Sequence, residues 1–258
     1  MADGVLYVAR GERYVEAAVE SARSVRTAMP AARIAIATDG PAPHGFDETI
    51  PLTEADGHRA KILGMIASPF RRTLFLDVDT HVALDVSELF RILDAFDVAA
   101  AHAPLRVTSP LDDVPETFPE LNTGVIAFRR NESVERLLRT WLEEYGRLAH
   151  LNPVSKDQLA FRRAAYAATD VRLAVLPPEF NLRFWKAGYY NQRVRILHGW
   201  GDPDTYRTVA AALNDRVKSH RHRGFFTGDA VLDRHGAVAV RFPKKPKRVK
   251  PDPQREPG

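Results

Sequence analysis

Leu74-Phe75-Leu76-Asp77-Val78-Asp79-Thr80 is an apolar run that ends in two carboxylates two residues apart. It is short, dense and without polar alternation, the pattern of a strand buried on both faces of a parallel sheet. It predicts a strand over Thr73–Val78. Side chains at i and i+2 share a face in extended backbone, so both carboxylates can converge on one place. That place is the carboxyl end of a strand, where open α/β sheets bind ligands. Two hard oxygen donors there suit Mg²⁺ or Mn²⁺. The pair also admits a plainer reading, with one aspartate capping the next turn and the other solvated.

Working outward, strands and helices alternate, which argues for an α/β domain with a mostly parallel sheet. Upstream, strands are expected over Gly4–Ala9 and Arg33–Thr38, the second ending at the turn signal Asp39-Gly40-Pro41. A helix is expected over Glu12–Met29, with Val15, Ala18, Val19, Ala22, Val25 and Met29 on one stripe and Pro30 as its stop. A Pro- and Gly-rich loop follows, then a helix over His58–Ala67. Downstream, Ser87 is read as the cap of a helix through Phe96, and Asp97–Ala103 as a strand. Pro104–Pro119 has four prolines and no periodicity, so it reads as a long surface loop of the kind that carries function. Further strands are expected over Thr123–Phe128, Arg172–Leu176 and Arg193–Leu197. Helices are expected from an Asn131 cap to Leu148, over Lys156–Ala167 with Ser155 as cap, and over Asp204–His220.

The chain has 258 residues, 45% hydrophobic and 27% charged, which excludes a disordered chain, a fibrous repeat and a disulfide-stapled miniprotein. It has no cysteine, hence no disulfide, thiolate metal site or cysteine nucleophile. The absence fits a reducing compartment. Met1-Ala2-Asp3-Gly4 does not read as a secretory leader and no apolar run reaches the roughly 18 residues of a membrane span, so the expectation is a cytoplasmic protein. Of the 37 Lys and Arg, seven fall in Arg241–Gly258, with only two of the 33 Asp and Glu. The remaining 240 residues are therefore close to neutral, and charge does not favour nucleic acid as a partner. The division expected is one domain over 1–240 and a basic, disordered tail over 241–258.

The Asp-x-Asp strand, continued by Leu84-Asp85-Val86-Ser87-Glu88-Leu89-Phe90, resembles that of GT-A-fold nucleotide-sugar glycosyltransferases, most of all family 8 and its bacterial relatives. The likeness spans roughly residues 4–201, and four further segments match in order. Tyr7-Val8-Ala9, with Tyr14 and the helix after it, is similar to the family's nucleoside-binding first strand. Lys61 stands where a basic residue reaches the donor. Leu121-Asn122-Thr123-Gly124-Val125-Ile126 resembles the strand lining the sugar pocket. Asp157-Gln158-Leu159 resembles the pair that contacts the donor sugar's hydroxyls. Near the end, Ile196-Leu197-His198-Gly199-Trp200-Gly201 places a histidine where the family has its third metal ligand. The other reading of His198 is a buried histidine satisfied by backbone. The family's lysine three residues beyond Gly201 is replaced by Asp204, so Lys186 or Arg183 is the candidate to grip a diphosphate.

The resemblance implies a GT-A fold and a metal-dependent transfer of sugar from a nucleoside-diphosphate donor, a UDP-sugar, with retention of configuration. Asp77, Asp79 and His198 are the implied metal ligands, for Mn²⁺ with Mg²⁺ as the alternative. Tyr7, Ala9, Lys61, Asp77, Val78, Asp79 and Gly199 are the implied donor contacts, and Asp39 reads equally as a base or ribose contact or as a turn residue. Asn122, Asp157 and Gln158 are implied at the reacting sugar. Asn181 resembles a stretch near the acceptor, and Trp185, Tyr189, Tyr190 and Trp200 read as sugar-stacking or packing aromatics. The acceptor, whether glycan, lipid-linked or protein, is not read. The tail implies peripheral contact with the inner face of a membrane. Three rivals stand beside this reading. One is a haloacid-dehalogenase-type phosphatase with Asp77 as nucleophile and Asp79 as acid/base. The others are a nucleotidyltransferase and a non-catalytic nucleotide-sugar-binding protein.

Overall fold

The computed structural model describes residues 2–52, 57–104, 111–151, 157–215, 224–226, 230–233 and 236–239. The strands are β1 (Asp3–Ala9), β2 (Arg33–Thr38), β3 (Glu48–Pro51), β4 (Arg72–Leu76), β5 (Thr80–Val82), β6 (Val98–His102), β7 (Leu121–Arg129), β8 (Leu173–Leu176), β9 (Leu182–Arg183), β10 (Gly188–Tyr190), β11 (Ile196–His198), β12 (Gly224–Phe226), β13 (Ala230–Asp233) and β14 (Gly236–Ala239). The helices are α1 (Glu12–Ala28), α2 (Gly57–Ile66), α3 (Glu88–Arg91), α4 (Glu132–Leu151), α5 (Asp157–Ala167) and α6 (Pro203–Asn214).

Seven strands form one sheet in the order β3-β2-β1-β4-β7-β6-β8. All neighbours are parallel except at β7, which runs against both β4 and β6. Successive residues of each strand feed opposite faces. Val5, Tyr7, Leu74 and Leu76 pack with Ala18, Ala22 and Val25 of α1. Leu6 and Phe75 pack with Ile62 and Met65 of α2, Trp141 of α4 and Phe161 of α5. The chain leaves β1 through α1 on one face and re-enters beside it at β4 through α2 on the other. The strand order therefore reverses between β1 and β4, and such a switch point opens a crevice at the carboxyl ends of the strands. Because β7 is antiparallel, its first residues lie beside the last of β4, with Leu76 opposite Val125. A small sheet, β5-β11-β9, lies beyond that edge.

Several expectations need correction. The strand expected to run through Asp77 and Val78 stops at Leu76. Asp77-Val78-Asp79 is a turn, closed by Thr80 Oγ1 donating to the Asp77 carbonyl at 2.7 Å. The carboxylates thus converge through a turn and not through strand alternation. The helix over Ser87–Phe96 is one α turn passing into a 3₁₀ turn at Ile92–Asp94, and Ser87 caps nothing with its side chain. The last helix starts at Pro203, because Asp202 accepts from Thr205 N at 2.7 Å as its N-cap, and is described to Asn214; residues 216–220 of the expected span lie outside the described residues. The loop between β2 and α2 hides β3, an edge strand whose terminal Pro51 is tolerated there. Of the Pro104–Pro119 loop, residues 105–110 lie outside the described residues. The remainder is tied down by buried Arg162, which donates to the carbonyls of Pro115 and Phe118. Ser155, Lys156 and the tail 241–258 also lie outside the described residues.

Candidate functional site

The turn after β4 delivers Asp77 and Asp79, and β11 brings His198 across from the far side. Gly199 N–H donates to the Asp79 carbonyl at 2.8 Å, and His198 is in register with Thr80, so the two chain segments are fixed to each other. His198 Nε2 lies 3.3 Å from Asp79 Oδ1 and 3.7 Å from Asp77 Oδ2. One donor atom from each of the three residues falls within 4.8 Å of the others. Two carboxylate oxygens and an imidazole nitrogen at this spacing fit one divalent cation, and the imidazole favours Mn²⁺ over Mg²⁺.

The space for it depends on Gly124. A Cβ there would lie 2.0 Å from His198 Cε1 and 2.7 Å from Asp77 Oδ2. The Gly124 carbonyl accepts from Asp77 N at 2.8 Å, so the bare Cα is held directly under the cluster. The turn rests on a hydrogen-bonded column. Thr80 Oγ1 spends its proton on the Asp77 carbonyl, so Ser21 Oγ must donate to Thr80 (3.0 Å) and the Tyr7 hydroxyl to Ser21 (2.9 Å). Tyr7 is fully buried, and burial pushes its hydroxyl well above the ordinary phenol value. Its side chain supports the turn from beneath and faces α1 instead of the cleft.

Lys61 is also buried. Its Nζ lies 3.0 Å from Asp77 Oδ1, 3.0 Å from Asp157 Oδ2 and 3.3 Å from Thr123 Oγ1. Burial pulls its pKa down, but Asp157 and Asp77 outweigh that and hold it above the usual lysine value. Burial likewise raises Asp157, and Lys61 and His58 more than reverse this. Lys61 and Asp157 are therefore charged together. His58 Nδ1 lies 3.3 Å from the other Asp157 oxygen, and the Asp157 carbonyl accepts from Trp141 Nε1 at 2.8 Å. Asn122 Nδ2 donates to Gln158 Oε1 at 3.0 Å, which joins β7 to α5.

Ala9 ends β1 and is buried, and Val78 packs against the α1-side core. Asp39 accepts from Gly11 N and Arg10 Nε, both at 3.0 Å, and these hold its carboxyl below the usual range. Asp39 thus staples the β1–α1 turn. Gly199 has φ +142°, and a Cβ there would meet Trp185 Cδ1 at 2.5 Å. The aromatics divide: Trp185 Nε1 binds the Trp200 carbonyl, Tyr190 is buried, and Trp200 packs on Tyr14 and under Arg13.

Two participants, Asn181 and Glu120, escaped the sequence reading in the places they occupy, and Arg183, named there as a candidate diphosphate grip, stands beside the cluster. Asn181 stands behind the histidine, its Oδ1 2.7 Å from His198 Nδ1. Arg183 Nη1 lies 3.0 Å from His198 Nε2. Glu120, fully buried, accepts from Gln158 Nε2. Its signal was available, since Glu120, Asn122 and Gly124 alternate onto one face.

No protein-family model and no curated protein matches the chain. Solved structures do. The galactosyltransferase LgtC, in complex with donor and acceptor sugar analogues, aligns with a TM-score of 0.57 at 13% identity over 77% of this chain and 87% of its own. An active-site mutant of LgtC aligns at 0.54 and 14%, over 78% and 88%. The glycosyltransferase GlyE of Streptococcus pneumoniae TIGR4 aligns at 0.54 and 16% over 70% of this chain, which spans about half (47%) of that protein. At these identities the likeness is one of fold, and the fold is the GT-A type that the motifs pointed to.

Proposed function

We propose that this chain is a metal-dependent glycosyltransferase that takes its sugar from a nucleoside-diphosphate donor, UDP on the sequence resemblance, and retains the anomeric configuration. The observation that carries the reading is the Asp77–Asp79–His198 donor set at the crevice of the main sheet, over a glycine that alone leaves it room. A divalent cation held there supplies Lewis-acid charge against a departing diphosphate.

The chain's own groups divide the remaining work. Arg183 stands at the cluster, 3.0 Å from His198 Nε2, and is the cation assigned to the diphosphate in place of the lysine that position 204 lacks. Lys61 does not extend into the cleft. Its ammonium pairs with Asp77 and Asp157, both at 3.0 Å, and so ties the two carboxylates in place. Among the described residues, Asn122 has both Oδ1 lone pairs engaged, by Gly124 N and Asn181 Nδ2, and one Nδ2 hydrogen to spare. Among the same residues, Gln158 retains one amide hydrogen and one oxygen lone pair. These are the hydroxyl-binding groups the pair offers a sugar. No residue is assigned as base, since the leaving phosphate can accept the acceptor's proton. Holding both substrates in one cleft supplies much of the rate.

The test is calorimetric titration of UDP, with and without Mn²⁺, on the wild type and Asp79→Ala. Binding that requires Mn²⁺ and disappears in the variant is the expected result. Equal binding without metal removes Asp77 and Asp79 from this role. Turnover of p-nitrophenyl phosphate with Mg²⁺ and no UDP binding would return the site to the phosphatase reading. Where UDP binds, a nucleotide-sugar panel follows, with NMR of the product reporting the anomeric outcome.

A further inference from the structure

Resting on the metal-site reading, a second question is what keeps His198 ready to bind a cation. Its ring is buried and its two nitrogens face different surroundings. Nε2 looks at Asp79 and Asp77, at 3.3 and 3.7 Å. Two nearby carboxylates would draw the single proton of a neutral imidazole onto Nε2, and no lone pair would then face the site. The opposing pull comes from behind the ring.

Nδ1 lies 2.7 Å from Asn181 Oδ1. Asn181 Nδ2 donates to Asn122 Oδ1 at 2.9 Å, Asn122 Nδ2 to Gln158 Oε1 at 3.0 Å, and Gln158 Nε2 to Glu120 Oε1. Each amide carries a donor and an acceptor at the same distance from its chain, so a row of amides can run in either direction. The ends choose. Glu120 Oε1 accepts from Gln158 Nε2. Arg183, 3.0 Å from Nε2 at the opposite end, only donates. In the middle, Gly124 N–H donates to Asn122 Oδ1 at 3.1 Å and holds the same sense. Reversal at any link sets two N–H groups or two oxygens against each other in a buried place. The three constraints agree, and the sole direction that satisfies them ends with the proton on Nδ1.

We propose that Asn181 and Glu120 are positioning residues: through Asn122 and Gln158, Glu120 fixes the direction of an amide chain whose last member, Asn181, holds the His198 proton on Nδ1 and leaves Nε2 an unprotonated acceptor facing Arg183, Asp77 and Asp79. Groups behind a metal-binding histidine act in this way generally, and their loss typically weakens metal binding about 10–100-fold. What is particular here is the length of the chain. It couples the histidine to Gln158 and Asn122, the residues nearest the expected sugar. A disturbance at either end is then felt at the other.

The experiment is long-range ¹H–¹⁵N NMR of the histidine-labelled, metal-free full chain at neutral pH. His198 is identified by the signals missing from His198→Gln. The wild type should show the Nδ1–H tautomer, and an Nε2–H ring there overturns the proposal without any variant having to fold. Asn181→Leu should move the proton to Nε2 and weaken Mn²⁺ binding by roughly 10–100-fold, read by electron paramagnetic resonance with and without UDP. Glu120→Gln keeps the shape but lets the far end donate as well as accept, so a second, Nε2–H set of His198 signals should appear. If Asn181→Leu changes the spectrum and Glu120→Gln does not, the Gly124 N–H sets the direction and Glu120 has no part. An Nδ1–H ring in a protein that binds no Mn²⁺ leaves the chain standing and removes the metal reading. Mn²⁺ binding equally tight in Asn181→Leu leaves the metal site and removes the chain.

Discussion

Gly124 shows how narrow the tolerances are at the scale of a single residue. Adding one methyl group would collide with both His198 and Asp77, since a Cβ there would lie within 2.7 Å of each and the His198 ring is buried. Gly124→Ala should therefore abolish Mn²⁺-dependent UDP binding and cost about 1–3 kcal/mol as an overpacked core position. Gly124→Ala with His198→Ala should recover much of that stability in urea denaturation and none of the binding, a non-additivity that marks direct contact. Lys61 makes the complementary case. Lys61→Met leaves Asp77 and Asp157 without their shared cation, and breaking a buried pair from one side costs about 3–5 kcal/mol. A urea midpoint equal to the wild type's would show that the three charges are not mutually dependent. Asp77, Asp79, Asn122, Asp157, Gln158 and His198 were all legible in the sequence because each sits in a motif of fixed spacing. His58 and Asn181's true place were not, since a hydrogen bond such as that from Asn181 to Asn122, 59 positions apart, leaves no local pattern.

At the scale of elements, β6, β7, β8 and α4 meet at one carboxylate. Asp97 accepts from Arg172 N at 2.8 Å, Arg129 Nε at 2.7 Å and Asn131 Nδ2 at 2.8 Å. Asn131 in turn caps α4 through Val134 N, as its position before an apolar stripe foretold. Burial raises the Asp97 carboxyl, and these donors overcome it and hold it below the ordinary value. A depressed carboxyl contributes stability above its unfolded value, about 3.9, and loses it as pH falls through the lower folded value. Asp97→Asn should thus be less stable at pH 7 by on the order of 2–3 kcal/mol. Its stability should also fall less steeply than the wild type's on acidification below about pH 4. Parallel acid limbs for the two proteins would remove Asp97 from this role. Dense apolar strands such as β2 and β4 announce themselves. Two- and three-residue strands such as β5 and β9 do not, because their pairing partners and not their composition make them strands.

At the scale of the molecule, charge and fold are separable. The sequence isoelectric point near 9.4 comes from the tail, with the first 240 residues close to neutral. Truncation after residue 240 should bring the focusing position down to near neutrality. If the tail docks on anionic lipid at roughly 1 kcal/mol per basic residue near the surface, truncation should also abolish sedimentation with phosphatidylserine vesicles. Equal sedimentation of both forms would end the membrane reading. Among the described residues no helix is long and apolar enough to cross a membrane.

The sequence by itself determined the alternation of strands and helices, the α/β class, and the motifs that supply the Asp77–Asp79–His198 cluster and the cleft's amides. These are properties of apolar period and residue chemistry, which local sequence carries. The tertiary structure alone decided three things: that β7 runs antiparallel and lays Gly124 beneath Asp77, that the tyrosine of β1 serves the turn from below, and that four amide and carboxylate side chains line up behind one histidine. Each depends on segments distant in the chain meeting at a definite register. That register is selected by packing on both faces of the sheet and by the cost of leaving buried polar groups unpaired.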